Sequence, residues 1–134
     1  GCQAASAMFP ELKGKDMTVI PSCVYTDPEI ACAGLTADEA KAAGIDTATG
    51  KYIMSVNGKS VLSMQDRGFL KIVSEKETGR ILGAQLMCAR ATDMIGELEL
   101  AISKRLTAED LAAVIMPHPT FCEGIGEAAE SILM

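Results

Sequence analysis

Residues 68–88, GFLKIVSEKETGRILGAQLMC, hold two apolar runs, GFLKIV and RILGAQLMC, separated by the polar stretch SEKETG. Two such runs joined by a turn that ends in glycine predict a β-hairpin, because glycine adopts the positive φ that closes the turn. The period then changes. From Thr92 onward, Met94, Ile95, Leu98, Ala101 and Ile102 share one helical face, with Asp93 early and Lys104 and Arg105 late, as the helix dipole prefers. Thr107 and Asp110 open a further helix, AEDLAAVIM (108–116), which Pro117 should end. A last helix is expected after Thr120.

Upstream of the hairpin the chain reads mainly as strands. MTVIPSCVY (17–25) is β-branched and apolar, but Pro21 breaks any ladder there, so an edge or bulged strand is expected. EIACAGL (29–35) gives a second strand. Thr36 and Glu39 have capping-box spacing, and Gly44 closes ADEAKAA (37–43) where a left-handed cap belongs. TATGKYIMSV (47–56) alternates as a third strand, followed by a polar loop around Asn57-Gly58. Strands with one early helix, then a hairpin, then consecutive helices predict an α+β fold: an antiparallel β-sheet with helices packed on one face. A parallel, doubly wound sheet fits the order less well.

The chain has 134 residues, 49% of them apolar and 22% charged, which is the size and composition of one folded domain. A net charge of −6 and a pI near 4.7 argue against nucleic acid or an anionic membrane surface as partner. No apolar run approaches the roughly 20 residues of a membrane span. Cys2, Cys23, Cys32, Cys88 and Cys122 are odd in number and dispersed, which suits reduced thiols in the cytoplasm and no metal site. Residues 1–9 read as a helix cut part-way along, and PELKGKD (10–16) as a linker. The expected division is therefore residues 1–15 as the remnant of a preceding helix and linker, and 16–134 as the domain proper.

The sole histidine lies in MPHPTFCEG (116–124). Pro117 and Pro119 stiffen His118 on both sides, since each fixes its own φ and Pro119 bars residue 118 from the helical region. A general base near neutral pH asks for a histidine on a rigid mount with a carboxylate to hold its far ring nitrogen, and Glu123 is in reach. Thr120 and Glu123 equally form a capping box, in which the hydroxyl would bond the amide of 123 and the carboxylate the amide of 120. The two roles coexist only if one carboxylate oxygen serves the amide and the other the imidazole. Cys122, four after His118, makes a Cys/His nucleophile pair a further alternative. GIGEAA (124–129) matches a dinucleotide fingerprint, but no strand precedes it and no βαβ unit follows, so Gly124 and Gly126 read as letting another backbone approach. The eight methionines, Met54, Met64, Met87, Met94 and Met116 among them, read as packing. One left exposed would point to a partner surface.

HPTFCEGIGEAAE (118–130) resembles the His-Pro-Thr-x-x-Glu signature of the flavin-dependent pyridine nucleotide-disulfide oxidoreductases, the dihydrolipoyl dehydrogenase branch in particular. IPSCVYTDPEIACAGLTADEA (20–40) and the stretch from Gly68 to Ile102 are similar, in order, to the same family's C-terminal interface domain, so the likeness covers about residues 16–131. The resemblance implies a homodimer-forming domain, with the FAD domain, a C-x-x-x-x-C redox pair and the NAD domain all N-terminal to it and outside this chain. It implies that His118, oriented by Glu123, exchanges a proton with dihydrolipoamide at the partner subunit's thiols. It also implies a cis His118–Pro119 bond, with the main chain of His118 and Pro119 beside the partner's flavin. FAD and NAD would serve the longer enzyme, none would be bound by this fragment alone, and the fragment alone would be inactive. The protein partner would be a lipoyl domain of a 2-oxo acid dehydrogenase complex or the glycine cleavage system. Cys122 departs from the family's usual serine. Glutathione and mycothiol reductases share the interface fold, and a purely structural module dimerising through the Met94, Ile95, Leu98 and Ile102 face or the sheet face is the non-enzymatic alternative.

Overall fold

A computed structural model of the chain describes residues 1–14 and 17–134. The predicted hairpin is its centre: β4 (Phe69–Glu75) and β5 (Ile81–Cys88) pair antiparallel, with Gly79 at φ 72° in the turn. Leu70 lies opposite Leu86 and Ile72 opposite Ala84, all buried on one face. The register shifts after Val73, which faces Gly83 while Ser74 faces Ile81, so Leu82 is the extra residue of a bulge. β2 (Glu29–Gly34) adds to β5 and β1 (Ser22–Val24) to β2; β3 (Thr47–Ile53) adds to β4. The five-stranded sheet runs β1-β2-β5-β4-β3 and is antiparallel throughout. β1 starts directly after Pro21 and is an edge strand, which is where a residue without an N–H is tolerated.

The predicted α+β architecture is found. α4 (Ala91–Ser103) turns Met94, Ile95, Leu98 and Ala101 onto β2 and β5, while α6 (Glu123–Leu133) lays Ile125, Ala128 and Ala129 on β3 and β4. α5 (Ala108–Ala112), with its Thr107–Asp110 box complete, packs beside α6. The stripe on α4 is therefore used inside its own core, which removes it as a dimerising face. Gly50 lets α6 sit directly on β3: a Cβ there would fall 1.9 Å from the Ala128 carbonyl oxygen. Neither helix glycine admits the backbone expected there: Gly124 is approached by the Leu70 and Tyr52 side chains, and Gly126 faces open space.

α2 (Ala37–Ala42) carries the predicted Thr36–Glu39 box and ends before Gly44 at φ 77°. Its Ala40 packs on Val73 and Leu82, which point away from the main core, so one short helix covers part of the opposite sheet face. α1 (Cys2–Met8) has no buried residue. The expected domain boundary at Lys15 and Asp16 lies outside the described residues.

Three expectations change. Asn57-Gly58 is not a loop: Asn57 caps a short helix, α3 (Gly58–Leu62), accepting the Ser60 N–H at 2.9 Å. α5 ends at Ala112, four residues before the position adjoining Pro117, because Val114 and Ile115 are exposed and no buried face rewards another turn. Met54 and Met94 are core residues, but Met64 is 91% exposed at φ 53°, so it packs against nothing.

Candidate active site

The turn between α5 and α6 carries His118. The His118–Pro119 peptide is cis, as is Asp27–Pro28, which the sequence reading did not anticipate. Two side chains fasten the turn at one residue. Glu123 Oε2 accepts the Thr120 N–H at 2.7 Å, and the Asn57 Nδ2–H donates to the Thr120 carbonyl at 3.0 Å. The other carboxylate oxygen, Glu123 Oε1, lies 2.7 Å from His118 Nδ1. The carboxylate divides between capping and imidazole, the one arrangement in which both roles coexist.

These contacts fix the chemistry of the ring. The Thr120 amide first, and the His118 ring second, hold the Glu123 carboxyl below the usual carboxylate range. It is therefore an acceptor near neutral pH, so Nδ1 must be the donor and a neutral imidazole carries its proton there. Nε2, the basic nitrogen, makes no hydrogen bond to the described residues. The imidazole is 77% exposed on a mount that is itself anchored, whereas Glu123 is only 24% exposed. A histidine serving only the interior of its own domain would have its ring inside it.

The capping box predicted at Thr120 is half formed. The Thr120 hydroxyl oxygen is buried without a partner among the described residues, and the helix starts at Glu123 from Cys122 without a side-chain cap. Cys122 does not pair with His118, whose Nδ1 belongs to Glu123. Burial, then the Glu97 charge, raises the Cys122 thiol, which disfavours the thiolate a nucleophile needs.

Beside the turn lies a cleft of about 330 Å³, lined by Pro119, Phe121 and Cys122 from the turn and by Met94 and Glu97 from α4, with Lys59 and Arg90 also on its wall. Burial pushes the Glu97 carboxyl up. The sequence reading missed Glu97 and Asn57. Asparagine is a favoured N-cap residue, a signal that could have revealed Asn57; nothing in spacing alone reports what Glu97 faces.

A family model described as pyridine nucleotide-disulphide oxidoreductase, dimerisation domain, matches residues 20–129. The chain belongs to that family. Curated relatives include the dihydrolipoyl dehydrogenases of Geobacillus stearothermophilus, 43% identical over 99% of this chain, Bacillus subtilis, 42% over 95%, and Halobacterium salinarum, 39% over 97%. The chain covers 27% to 28% of these relatives' own lengths, so it corresponds to one domain of each. Among solved structures, LpdA from Mycobacterium tuberculosis is 26% identical at a TM-score of 0.85, over 98% of this chain and 28% of that one. The flavoprotein disulfide reductase RclA from Escherichia coli has the same fold, with a TM-score of 0.85 at 21% identity over 96% of this chain and 30% of that one. Fold and family thus agree with the resemblance carried by the His-Pro-Thr-x-x-Glu stretch of this oxidoreductase dimerisation domain.

Proposed function

We propose that this chain is the dimerisation domain of a dihydrolipoyl dehydrogenase, and that in the homodimer it supplies His118 and Glu123 as an acid/base pair to the disulfide site of the partner subunit. The observation that carries the proposal is the 2.7 Å contact between Glu123 Oε1 and Nδ1 of an imidazole that is otherwise exposed. A base built to act within its own domain would face its own core or cleft; this one faces outward and is oriented from behind.

Nε2 takes the proton of a substrate thiol. The S–H bond breaks with its electron pair left on sulfur, and the imidazolium formed is held by the Glu123 carboxylate at Nδ1. In the reverse direction the same nitrogen returns the proton. The substrate is dihydrolipoamide carried on a lipoyl domain of a 2-oxo acid dehydrogenase complex or of the glycine cleavage system. The main chain of His118 and Pro119 lies beside FAD held by the partner subunit, a reading that the exposure of both residues leaves room for. FAD, when bound, supplies the two-electron relay from dithiol and redox disulfide to NAD. The cleft walled by Met94, Phe121 and Cys122 gives an uncharged acyl-dithiol chain an apolar approach beside the turn. Free, dispersed cysteines suit a reducing cytoplasm.

Steady-state turnover of the full-length enzyme tests this. His118→Ala is expected to lower it about 10²- to 10⁴-fold, the range of a positioned base. A variant within threefold of wild type would contradict the proposal.

A further inference from the structure

We infer that Asn57 is a positioning residue for His118: its buried amide fixes the peptide carbonyl of Thr120, and with it the turn that aims the imidazole. The inference rests on the acid/base reading of His118. Asn57 is 1% exposed and Ser60 fully buried. The Asn57 Oδ1 accepts from the Ser60 N–H at 2.9 Å and from the Ser60 hydroxyl at 3.0 Å. Those bonds settle which end of the amide is oxygen, since a backbone N–H cannot accept. Nδ2 is thereby directed at the Thr120 carbonyl, 3.0 Å away and 63 residues along the chain.

The turn has few other holds. Pro117, His118 and Pro119 are all exposed, the Thr120 hydroxyl has no partner among the described residues, and the core contacts are those of Met116, Phe121 and Cys122 on either side. The backbone is held on both sides of the Thr120 Cα: Glu123 takes the N–H of the Pro119–Thr120 peptide, and Asn57 donates to the carbonyl of the Thr120–Phe121 peptide. Glu123 also holds the imidazole, so any change in φ or ψ at Thr120 shifts the carboxylate's anchor relative to the ring. A second observation ties α3 to the ring itself. A Cβ added at Gly58 would stand 3.9 Å from His118 Cε1, so the imidazole lies over the start of the helix that Asn57 caps. Asn57 joins the floor under the ring to the turn that carries it.

Capping α3 and holding the turn use opposite ends of the amide, which allows them to be separated. Asn57→Asp keeps an oxygen for Ser60 but replaces the donor facing Thr120 with an acceptor; Asn57→Ser keeps a capping oxygen on a side chain too short to reach Thr120, and is the second variant should the first fold poorly. Because His118 is the only histidine, the nitrogen NMR shifts of one imidazole report its tautomer in this chain without assignment. The expected result is a fall of about threefold or more in the ratio of Nδ1–H to Nε2–H forms of the neutral ring in Asn57→Asp or Asn57→Ser, while Ser60→Ala leaves it within twofold. In the full-length enzyme, kcat should fall about tenfold with KM changed less than threefold. A tautomer ratio within twofold of wild type in both folded Asn57 variants overturns the inference, whatever His118→Ala does. A silent His118→Ala with a shifted tautomer ratio would instead defeat the acid/base reading and leave the positioning contact standing.

Discussion

Three helices in this chain are announced by the same pattern, a threonine with an acidic residue three positions later, and only two of them use it alike. At Thr36–Glu39 and Thr107–Asp110 the box is complete: each threonine hydroxyl accepts the third amide, at 3.2 and 3.1 Å, and one carboxylate oxygen takes the threonine N–H at 2.8 Å in both. At Thr120–Glu123 the buried hydroxyl oxygen has no partner among the described residues, and the carboxylate gives one oxygen to the cap and the other to His118. A buried hydroxyl without a partner costs on the order of 1–3 kcal/mol. The first two sites are built for helix stability. The third accepts a poorer cap and gains an oriented imidazole, the kind of local rule-breaking expected where function competes with folding.

Replacing the acids should break this comparison most visibly. Glu123→Gln in the full-length enzyme should lower turnover about 10- to 100-fold, less than His118→Ala, because the base remains but its orientation is lost. Glu39→Gln and Asp110→Asn should leave turnover within twofold. A Glu123→Gln enzyme as active as Glu39→Gln would make the third site an ordinary cap.

Acid titration sharpens the same contrast. Glu39, Asp110 and Glu123 all have carboxyls held below their usual range, in each case chiefly by the threonine backbone N–H. A carboxyl depressed in the folded state stabilises the fold above its unfolded pKa, about 4, and the stabilisation is lost as pH falls through the lower folded value. Thermal melts between pH 5 and pH 2 should therefore show the acid loss of stability reduced in each amide variant. Only for Glu123 should the acid limb of the turnover profile change as well.

The threonines give the smaller effects. Thr36→Ala and Thr107→Ala should each cost about 1 kcal/mol in denaturant unfolding, the usual value of a lost cap. Thr120→Val, which removes an unsatisfied hydroxyl at nearly constant shape, should fall within about 0.5 kcal/mol of wild type or stabilise slightly. A loss at Thr120 equal to that at Thr36 would mean the hydroxyl is bonded after all.

The architecture was largely legible because its signals are local. The hairpin, the α4 stripe and the two complete boxes each sit within about twenty consecutive residues, and the alternation of Leu70 and Ile72 against Ala84 and Leu86 follows from period alone. The bulge at Leu82 and the early end of α5 depend on what packs where, which no window of sequence contains. At the site, His118 and Glu123 were visible as residue types at a known spacing, but the choice between cap and base was not, since both use the same two residues. The structure shows both contacts made at once, each oxygen of Glu123 having a different partner. Asn57 was hidden for another reason: its hydrogen bond to Thr120 spans 63 residues, and its neighbour glycine made the pair look like a turn.

Mixed dimers of the full-length enzyme test the central claim, that His118 serves a site on the other chain. One subunit carries His118→Ala with its redox cysteines intact; its partner carries His118 but has those cysteines replaced by serine. If the base acts across the interface, one of the two symmetry-related sites is whole, and the hybrid keeps about half the wild-type turnover. Placing both changes in one subunit opposite a wild-type partner should then leave almost none. The reverse result, an inactive first hybrid and a half-active second, would place His118 at its own subunit's thiols and contradict the account.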